Sequence, residues 1–333
     1  MTHGIDIAAT VAIECLDALR PGPSPLVVDE TTGVLARAIG GGGATVAEWR
    51  RCHAREQPGA TWPTAGPYSS AFLRLPKVKE ALDFALHAAA SVLPPGAPII
   101  VFGANDEGIR SAASHLESVA DGVESIATKR HCRVLTGTRC ANIAALKGHL
   151  DDWRAVREIE LLGAARPWVS YPGVFARGGL DEGTALLIGQ LPKLGPKARV
   201  LDFAGGTGVI AAAALQTYAA AAVDLVEIDA LALMAAEENV PRARLLAGDG
   251  LAAVDGAFYE LILANPPVHD GVAEDHTVLR RLIAEAPRHL RRAGELRIVV
   301  QRHIAAAPLI EAAFKNVATV AATGRFQVLS GRK

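Results

Sequence analysis

The chain has 333 residues, of which 50% are hydrophobic and 21% charged, so it is long enough for two domains of ordinary globular composition. Its formal net charge of −1 gives no overall indication of nucleic-acid binding, and its apolar runs are too short or too interrupted to span a membrane. Acids stand where a signal peptide would be cationic, and the 4 cysteines contain no C-x-x-C pair, so we expect a cytoplasmic protein with reduced thiols, no metal site and no membrane association.

The first half of the chain contains one clear strand, turn and helix. Residues 98–102 are an apolar run typical of a buried strand, residues 103–108 form a turn with glycine at both ends, and residues 109–119 are predicted to be helical. The same order of elements recurs in the second half, where the turn is richer in glycine. Because the first turn carries Asp106 and Glu107 in place of closely spaced glycines, this half is predicted to be a degenerate copy of the second.

Strands and helices alternate through the second half, which we expect to begin near residues 163–167 and so to divide the chain into domains 1–165 and 166–333. The predicted strands are 199–203, 222–228, 243–247, 258–264 and 294–301, and the predicted helices are 208–219, 230–239, 277–292 and 305–314. Such alternation is typical of a parallel, doubly wound sheet. Residues 317–322 and 326–329 then predict a closing antiparallel hairpin.

A glycine-rich turn joins the first strand and the first helix of this half. It reads Ala204-Gly205-Gly206-Thr207-Gly208. Glycine accepts positive φ and lets a ligand approach the backbone, while the amino end of the helix offers free N–H groups. Continued to Ala211, the turn satisfies the G-x-G-x-x-G/A dinucleotide fingerprint, and Glu227 ends the next strand as a ribose-binding acid would. These two features alone also fit a nicotinamide oxidoreductase.

Two further strand ends favour a methyltransferase. One strand is followed by Gly248-Asp249-Gly250 and the next by Asn265-Pro266-Pro267. The first proline pushes Asn265 towards extended geometry, so the side-chain oxygen of Asn265 and the carbonyl of Pro266 can both accept from one planar NH2 group. A class I S-adenosylmethionine methyltransferase uses all four strand ends, whereas a dehydrogenase does not need the last. Since no Asn-Pro-Pro precedes residue 265, we expect one active site, with the first domain holding substrate or stabilising the second.

Six segments spread along the chain carry a family resemblance. They are Phe-Gly-Ala-Asn-Asp-Glu-Gly-Ile-Arg-Ser-Ala at 102–112, Pro-Gly-Val-Phe-Ala-Arg at 172–177, Leu-Asp-Glu-Gly-Thr at 180–184, Asn-Pro-Pro with His-Asp-Gly at 265–271, Gly-Glu-Leu-Arg-Ile-Val at 294–299 and Thr-Gly-Arg-Phe at 323–326. Together they resemble the guanine-N2 methyltransferases of small-subunit ribosomal RNA, the methyltransferase C family. The resemblance implies an α/β fold of two tandem Rossmann-like methyltransferase domains, the first degenerate and the second a seven-stranded sheet with a C-terminal antiparallel hairpin.

The resemblance also implies an activity and its residues. S-adenosyl-L-methionine would be the methyl donor, the exocyclic N2 of a guanine in 16S ribosomal RNA the target, and ribosomal RNA or the small ribosomal subunit the partner of a monomeric enzyme. The residues implied at the donor are Phe175, Thr184, Asp202, Ala204, Gly205, Gly206, Gly208, Glu227, Ile228, Asp249, Gly250 and Asn265. Those implied in catalysis are Asn265, Pro266 and Pro267, and those implied at the substrate are Val268, His269 and Asp270.

Several of these residues also suit structural roles. Asp202 suits either a bond to backbone N–H groups of the glycine loop or a contact with the ammonium end of the donor. Asp181 and Thr184 suit a helix start as well as they suit the donor pocket. His269-Asp270 is favoured as a hydrogen-bonded loop over an acid–base dyad. Seven arginines against two acids lie between residues 276 and 303, where a solvated helix face is favoured over a phosphate-contacting patch.

Three positions depart from the family pattern. Val268 stands where an aromatic usually follows Pro-Pro and would stack on the target base, the glycine loop lacks the Gly-Cys-Gly form, and Gln327 replaces a usual lysine. Three alternatives therefore stay open. They are the same chemistry on a protein amide or a small molecule, a catalytically inactive RNA-binding assembly factor and, most distantly, a nicotinamide oxidoreductase.

Overall fold

The structure, a computed structural model, describes residues 6–53, 58–267 and 276–333. The expected substrate contacts Val268, His269 and Asp270 lie outside the described residues. Two compact units are present, the first within residues 1–52 and 59–154 and the second within residues 53–58 and 155–333. Among the described residues, no helix is long and apolar enough to cross a membrane.

The first unit is built on a six-stranded sheet. Its strands are β1 (Pro25–Val28), β2 (Ala47–Trp49), β3 (Ser70–Arg74), β4 (Pro98–Ala104), β5 (Ala120–Lys129) and β6 (Cys132–Arg139), and its helices are α1 (Ile7–Ile13), α2 (Leu16–Leu19), α3 (Val34–Gly41), α4 (Lys79–Val92) and α5 (Ala112–Leu116). The strand order is β2-β1-β3-β4-β6-β5, and β6 runs antiparallel to both of its neighbours. Buried side chains of α1, α3 and four of the strands form one cluster of its core, and the buried face of α4 forms a further part.

The second unit begins with an antiparallel hairpin and continues into a seven-stranded sheet. Its strands are β7 (Ala155–Leu161), β8 (Ala164–Ser170), β9 (Arg199–Phe203), β10 (Ala222–Glu227), β11 (Arg244–Ala247), β12 (Tyr259–Ala264), β13 (Leu290–Gln301), β14 (Asn316–Ala322) and β15 (Phe326–Arg332). Its helices are α6 (Glu182–Ile188), α7 (Val209–Thr217), α8 (Ala230–Asn239), α9 (Thr277–His289) and α10 (Ala307–Ala313). The sheet has the order β11-β10-β9-β12-β13-β15-β14, parallel except for β15.

The predicted alternation of strands and helices and the closing hairpin are confirmed, with bounds that differ by a few residues. The largest shift is at β13, which begins at Leu290 rather than 294, so that α9 ends at His289. The expected domain join at 163–167 lies within the β7–β8 hairpin, whereas the two compact units divide between Arg154 and Ala155.

Strand order corrects one prediction about the first unit. The order of β1 to β6 matches that of β9, β10, β12, β13, β14 and β15, with no counterpart of β11. Residues 98–104 therefore correspond to β13, and the counterpart of the strand before the glycine loop is β1. The predicted helix at 109–119 is likewise reduced to a short 3-10 turn and α5. Apolar strands followed by glycine-containing turns occur at several places, and a local pattern does not tell which strand is central.

Strands β9 and β12, in the middle of the second sheet, are buried on both faces. This is typical of parallel strands that are covered by helices on both sides. Along β12, Leu261 and Leu263 pack with α7 on one face, while Ile262 packs with α9 on the other. The neighbouring strand β9 alternates in the same way. Phe203 pairs with Ala264 at the carboxyl ends of these strands, so the segments that follow the two residues begin side by side.

Candidate active site

The glycine loop leaves β9 and enters α7 through three residues with positive φ, namely Ala204 at 54°, Gly206 at 55° and Gly208 at 93°. A Cβ at Gly205 would lie 2.5 Å from Leu225, and one at Gly208 would lie 2.7 Å from Val240. Both glycines are therefore required by packing within the protein. A Cβ at Gly206 would meet no described atom within 4 Å, so this residue presents its backbone to open space.

The loop is held from behind by the hairpin and by α8. The indole Nε1 of Trp168 in β8 donates to the hydroxyl of Thr207 at 2.9 Å, and both side chains are buried. Asn239 at the end of α8 accepts from the Val169 N–H at 2.8 Å and donates to the carbonyls of Val169 and Thr207 at 2.9 and 3.1 Å. The sequence did not indicate this clamp, because Trp168 and Asn239 are 39 and 32 residues away from Thr207.

Glu227 ties the loop to the end of β10. One carboxylate oxygen accepts the N–H of Gly206 at 2.8 Å, and the other accepts those of Ile228 and Asp229 at 2.7 and 3.0 Å. The residue is only 9% exposed. Burial raises the pKa of Glu227, although the three backbone N–H bonds act to lower it. Ile228, predicted at the donor, also has its carbonyl bonded to the N–H of His53 at 2.8 Å.

Asp202, the second acid beneath the loop, is completely buried in β9. Its Oδ2 accepts the N–H of Ala211 in α7 at 2.8 Å, whereas its Oδ1 has no hydrogen-bond partner among the described residues. Burial raises the pKa of Asp202 to about 7, and the nearby carboxylate of Glu227 adds to this rise. The expected bond to backbone is present, but it comes from the helix rather than from the glycine loop.

Asp249, one of the residues implied at the donor, is paired with a cation that the sequence did not suggest. The guanidinium of Arg281 in α9 contacts both carboxylate oxygens of Asp249, at 2.5 and 3.3 Å. The backbone of Gly250 lies against the same guanidinium, since a Cβ there would be 2.4 Å from Arg281 Nη2. Arg281 therefore fixes the position of the Asp249 carboxylate.

Asn265 follows β12 and contacts the start of α6. Its amide Nδ2 donates to Thr184 Oγ1 at 2.9 Å and to Asp181 Oδ2 at 3.3 Å. Asp181 is the N-cap of α6, because its Oδ1 accepts the N–H groups of Gly183 and Thr184. The helix start that the sequence offered as one possibility for Asp181 and Thr184 is observed, and the same two residues bind Asn265.

The remaining predicted site residues occupy the segments beside these elements. Pro266 is buried and Pro267 is exposed. Phe175 is 60% exposed and opens a short 3-10 segment, Phe175–Gly178, that precedes α6. Ala176 and Arg177 within it have φ values of 50° and 52°, a conformation uncommon for residues other than glycine.

The seven arginines between residues 276 and 303 do not share one face. Arg297 is buried and bonded to Glu295, Arg281 is paired with Asp249, and Arg291 is paired with Glu260. Arg302 is exposed beyond the carboxyl end of β13, whereas Arg291 lies near the start of that strand. Among the described residues, no group of three His, Cys, Asp or Glu side chains is arranged to hold a metal ion.

Comparisons with known proteins identify the family of the chain. The methyltransferase small domain matches residues 167–330, and the methyltransferase small domain N-terminal region matches residues 45–154. Ribosomal RNA small subunit methyltransferase C of Shewanella amazonensis is 33% identical over 279 residues, which are 83% of this chain and 80% of that protein. The protein of the same name from Ectopseudomonas mendocina is 36% identical over 272 residues, 80% of each chain. The chain belongs to the ribosomal RNA small subunit methyltransferase C family.

The two-domain fold of this family is seen in a solved structure of the "T. Thermophilus 16S rRNA N2 G1207 methyltransferase (RsmC)". It aligns with a TM-score of 0.86 at 21% identity and covers 98% of this chain and 92% of that one. The family, the methyltransferase class and the fold of two tandem domains expected from the sequence are thereby confirmed.

Proposed function

We propose that the protein transfers a methyl group from S-adenosylmethionine to the exocyclic N2 of a guanine in 16S ribosomal RNA. The T. thermophilus enzyme of the matching fold carries 16S rRNA N2 methyltransferase in its name and was solved with AdoMet and guanosine. The observation that carries the proposal in this chain is the pairing of Phe203 with Ala264. Because of that pairing, the glycine loop and Asn265-Pro266 begin side by side. A methyl donor bound at the loop would therefore lie next to the oxygens that accept the N–H groups of an amine.

The described residues fit S-adenosylmethionine. Asp202 offers a buried carboxyl oxygen without a partner in the described part of the chain, which suits the ammonium end of an amino acid. Gly206 offers open space over its backbone, and Glu227 beside it keeps one acceptor position, on the oxygen that binds the Gly206 N–H, for a ribose hydroxyl. Asp249, fixed by Arg281, would lie near the adenine. When bound, S-adenosylmethionine supplies an electrophilic methyl group on a sulfonium.

Asn265 and Pro266 would prepare the amine for attack. A guanine N2 is a poor nucleophile because its lone pair is delocalised into the ring. If Asn265 Oδ1 and the Pro266 carbonyl each accept one N–H, they hold the nitrogen so that its lone pair points at the methyl, and they stabilise the positive charge that develops there. Such acceptors make a strong base unnecessary before attack, since the proton can leave afterwards.

We also propose that ribosomal RNA, alone or in the small subunit, is bound by a monomer in the cytoplasm. Support for an RNA partner comes from the family and from exposed arginines at the carboxyl edge of the second sheet, Arg302 and Arg325. Sedimentation of the free protein tests the monomer, for which a mass near 34.8 kDa is expected.

The substrate is tested with RNA that lacks the modification. Small subunits and naked 16S RNA from a strain without the enzyme are incubated with methyl-labelled donor and digested to nucleosides. We expect label in N2-methylguanosine with the natural protein and none with Asn265→Ala, which should still bind the donor. Label in protein or in small molecules would favour the alternative N-methyltransferases. Donor binding without any transfer would favour an assembly factor, and binding of NAD alone would favour an oxidoreductase.

A further inference from the structure

The orientation of the Asn265 amide decides whether it can serve an amine. An asparagine side chain has an acceptor oxygen and a donor NH2 at nearly equivalent positions, and a half-turn about the last bond exchanges them. With Oδ1 towards the target, the side chain accepts an N–H of the amine. With Nδ2 there, two donors would face each other and the contact would be repulsive.

Asp181 supplies the group that distinguishes the two orientations. An ionised carboxylate can only accept hydrogen bonds, so the amide must present Nδ2 to it. The carboxylate serves both the helix and Asn265, since Oδ1 caps α6 through Gly183 and Thr184 while Oδ2 is the oxygen nearer to Asn265 Nδ2, at 3.3 Å against 3.5 Å for Oδ1. The cap therefore fixes the carboxylate in place. Thr184 Oγ1, in a residue only 5% exposed, lies 2.9 Å from the same nitrogen.

We propose that Asp181 is a positioning residue that locks the Asn265 amide with Oδ1 towards the target nitrogen. Thr184 assists it by accepting from the same NH2 group. This inference rests on the proposed function, because it assigns the control of a hydrogen-bond acceptor in that reaction. It also links the start of α6 to catalysis. The capping bonds of α6 fix Asp181, and Asp181 in turn fixes the orientation of the Asn265 amide.

Asp181→Asn separates this role from helix capping. Asparagine is as good an N-cap as aspartate, so its oxygen can stay on the two N–H groups of α6. The new NH2 group then takes the place of Oδ2 and favours the opposite rotation of Asn265. We expect kcat to fall on the order of 10- to 100-fold, with the melting temperature and the affinity for S-adenosylmethionine nearly unchanged. Turnover at the natural rate would overturn the proposal.

Thr184 provides a matched pair of variants. Thr184→Ser keeps the hydroxyl that accepts from Asn265, whereas Thr184→Val keeps the shape and removes the acceptor. We expect Thr184→Ser to retain most of the turnover and Thr184→Val to lose several-fold in kcat. Equal rates in the two variants would contradict the assistance by Thr184.

The closing experiment exchanges the hydrogen-bond donor and acceptor between residues 265 and 181. Asn265→Asp alone places a carboxylate 3.3 Å from that of Asp181, where like charges repel, and we expect turnover to be nearly lost. Adding Asp181→Asn restores a donor–acceptor pair with an oxygen still available for the amine. We expect the double variant to exceed Asn265→Asp at least about tenfold. A double variant no faster than Asn265→Asp would overturn the locking role, whereas failure of the natural protein to form N2-methylguanosine would overturn the proposed function instead.

Discussion

Asp202 and Glu227 place two carboxyl groups with raised pKa values beneath one glycine loop. For Asp202 the pKa rises from 3.8 to about 7 on folding. The folded protein therefore holds a proton that the unfolded chain has lost between these pH values, and the associated stability is present at low pH and lost as pH rises through 7. An ionised Asp202 without a partner is thus unfavourable in the free protein, and a cationic ligand would offset this.

Asp202→Asn tests the buried charge. Because the amide cannot ionise, the free energy of unfolding of the variant relative to the natural protein should increase between pH 5 and pH 8, by roughly 3 kcal/mol. Chemical denaturation at the two pH values measures this change and cancels any constant effect of the new NH2 group. The variant should also bind S-adenosylmethionine more weakly at pH 8. A stability difference that does not vary with pH would contradict an Asp202 pKa near 7.

Single residues at strand ends are the part of the candidate site that the sequence could predict. Gly206, Glu227 and Asn265 each follow an apolar run, and parallel strands bring their carboxyl ends to one edge of the sheet. The partners of these residues could not be found in the same way. Asn265 and Asp181 are 84 residues apart, and the only local signal at Asp181 was the spacing of a helix cap.

At the scale of elements, the hairpin acts as a support for the glycine loop through Trp168 and Thr207. Thr207→Val removes the acceptor and leaves the buried indole N–H without one, which typically costs about 1–3 kcal/mol of unfolding free energy. We expect that destabilisation, together with weaker binding of S-adenosylmethionine, because the loop is no longer fixed from behind. Thr207→Ser keeps the hydroxyl and is the control. If the two variants have the same stability and affinity, the hydrogen bond does not support the loop.

Arg302, after the carboxyl end of β13, and Arg325, before the start of β15, form an exposed basic rim on the active-site side of the sheet. The N–H of Arg302 donates to the carbonyl of Arg325 at 2.8 Å, and the side chain of Arg325 lies 3.2 Å from Glu182. Glu182 adjoins Asp181, which contacts Asn265, so the rim and the acceptor residue share one set of neighbours. Positive charge beside the acceptor residue suits the phosphates that flank a target base.

Arg302→Ala and Arg325→Ala should therefore weaken RNA binding without changing donor affinity. Removing one cation that neutralises an RNA phosphate should reduce the slope of log K against log salt by about 1. Filter binding of 16S RNA fragments at several salt concentrations measures this. Arg292→Ala is the control, since Arg292 is also exposed but lies at the opposite end of β13. An equal effect of all three substitutions would indicate a general charge effect and no RNA binding at the rim.

At the scale of the whole molecule, the two units have sheets of related topology, and one difference between them lies in the loop after β1 and after its counterpart β9. In the first unit that loop reads Asp29-Glu30-Thr31-Thr32-Gly33 and leads into α3. Its first and last residues have φ values of 52° and 68°, similar to those of Ala204 and Gly208. The backbone agrees at these two positions but not at the middle of the loop, because Gly206 has a φ of 55° whereas its counterpart Thr31 does not have a positive φ. The sequence does not mark this loop as the counterpart of the glycine loop, because it lacks the paired glycines.

Glu30 fills the position that Gly205 occupies in the second unit. The side chain is completely buried, and its carboxylate accepts the N–H groups of Thr32 at 2.7 Å and Leu35 at 3.3 Å. In the second unit, by contrast, the loop keeps open space over Gly206. In the first unit, the carboxylate of Glu30 thus accepts N–H groups at the amino end of α3. In the second unit, the corresponding loop leaves room for a ligand.

Each chain should consequently bind one S-adenosylmethionine, at the second unit. Calorimetry of the full chain should give a stoichiometry of one, and Gly206→Val should abolish binding, because its side chain would occupy the open side of the loop. Gly33→Val is the control, since it imposes similar backbone strain at a positive φ in the first unit and should leave the affinity unchanged. A stoichiometry of two, or binding that survives Gly206→Val and is abolished in Gly33→Val, would place a donor site in the first unit and contradict a single site in the second.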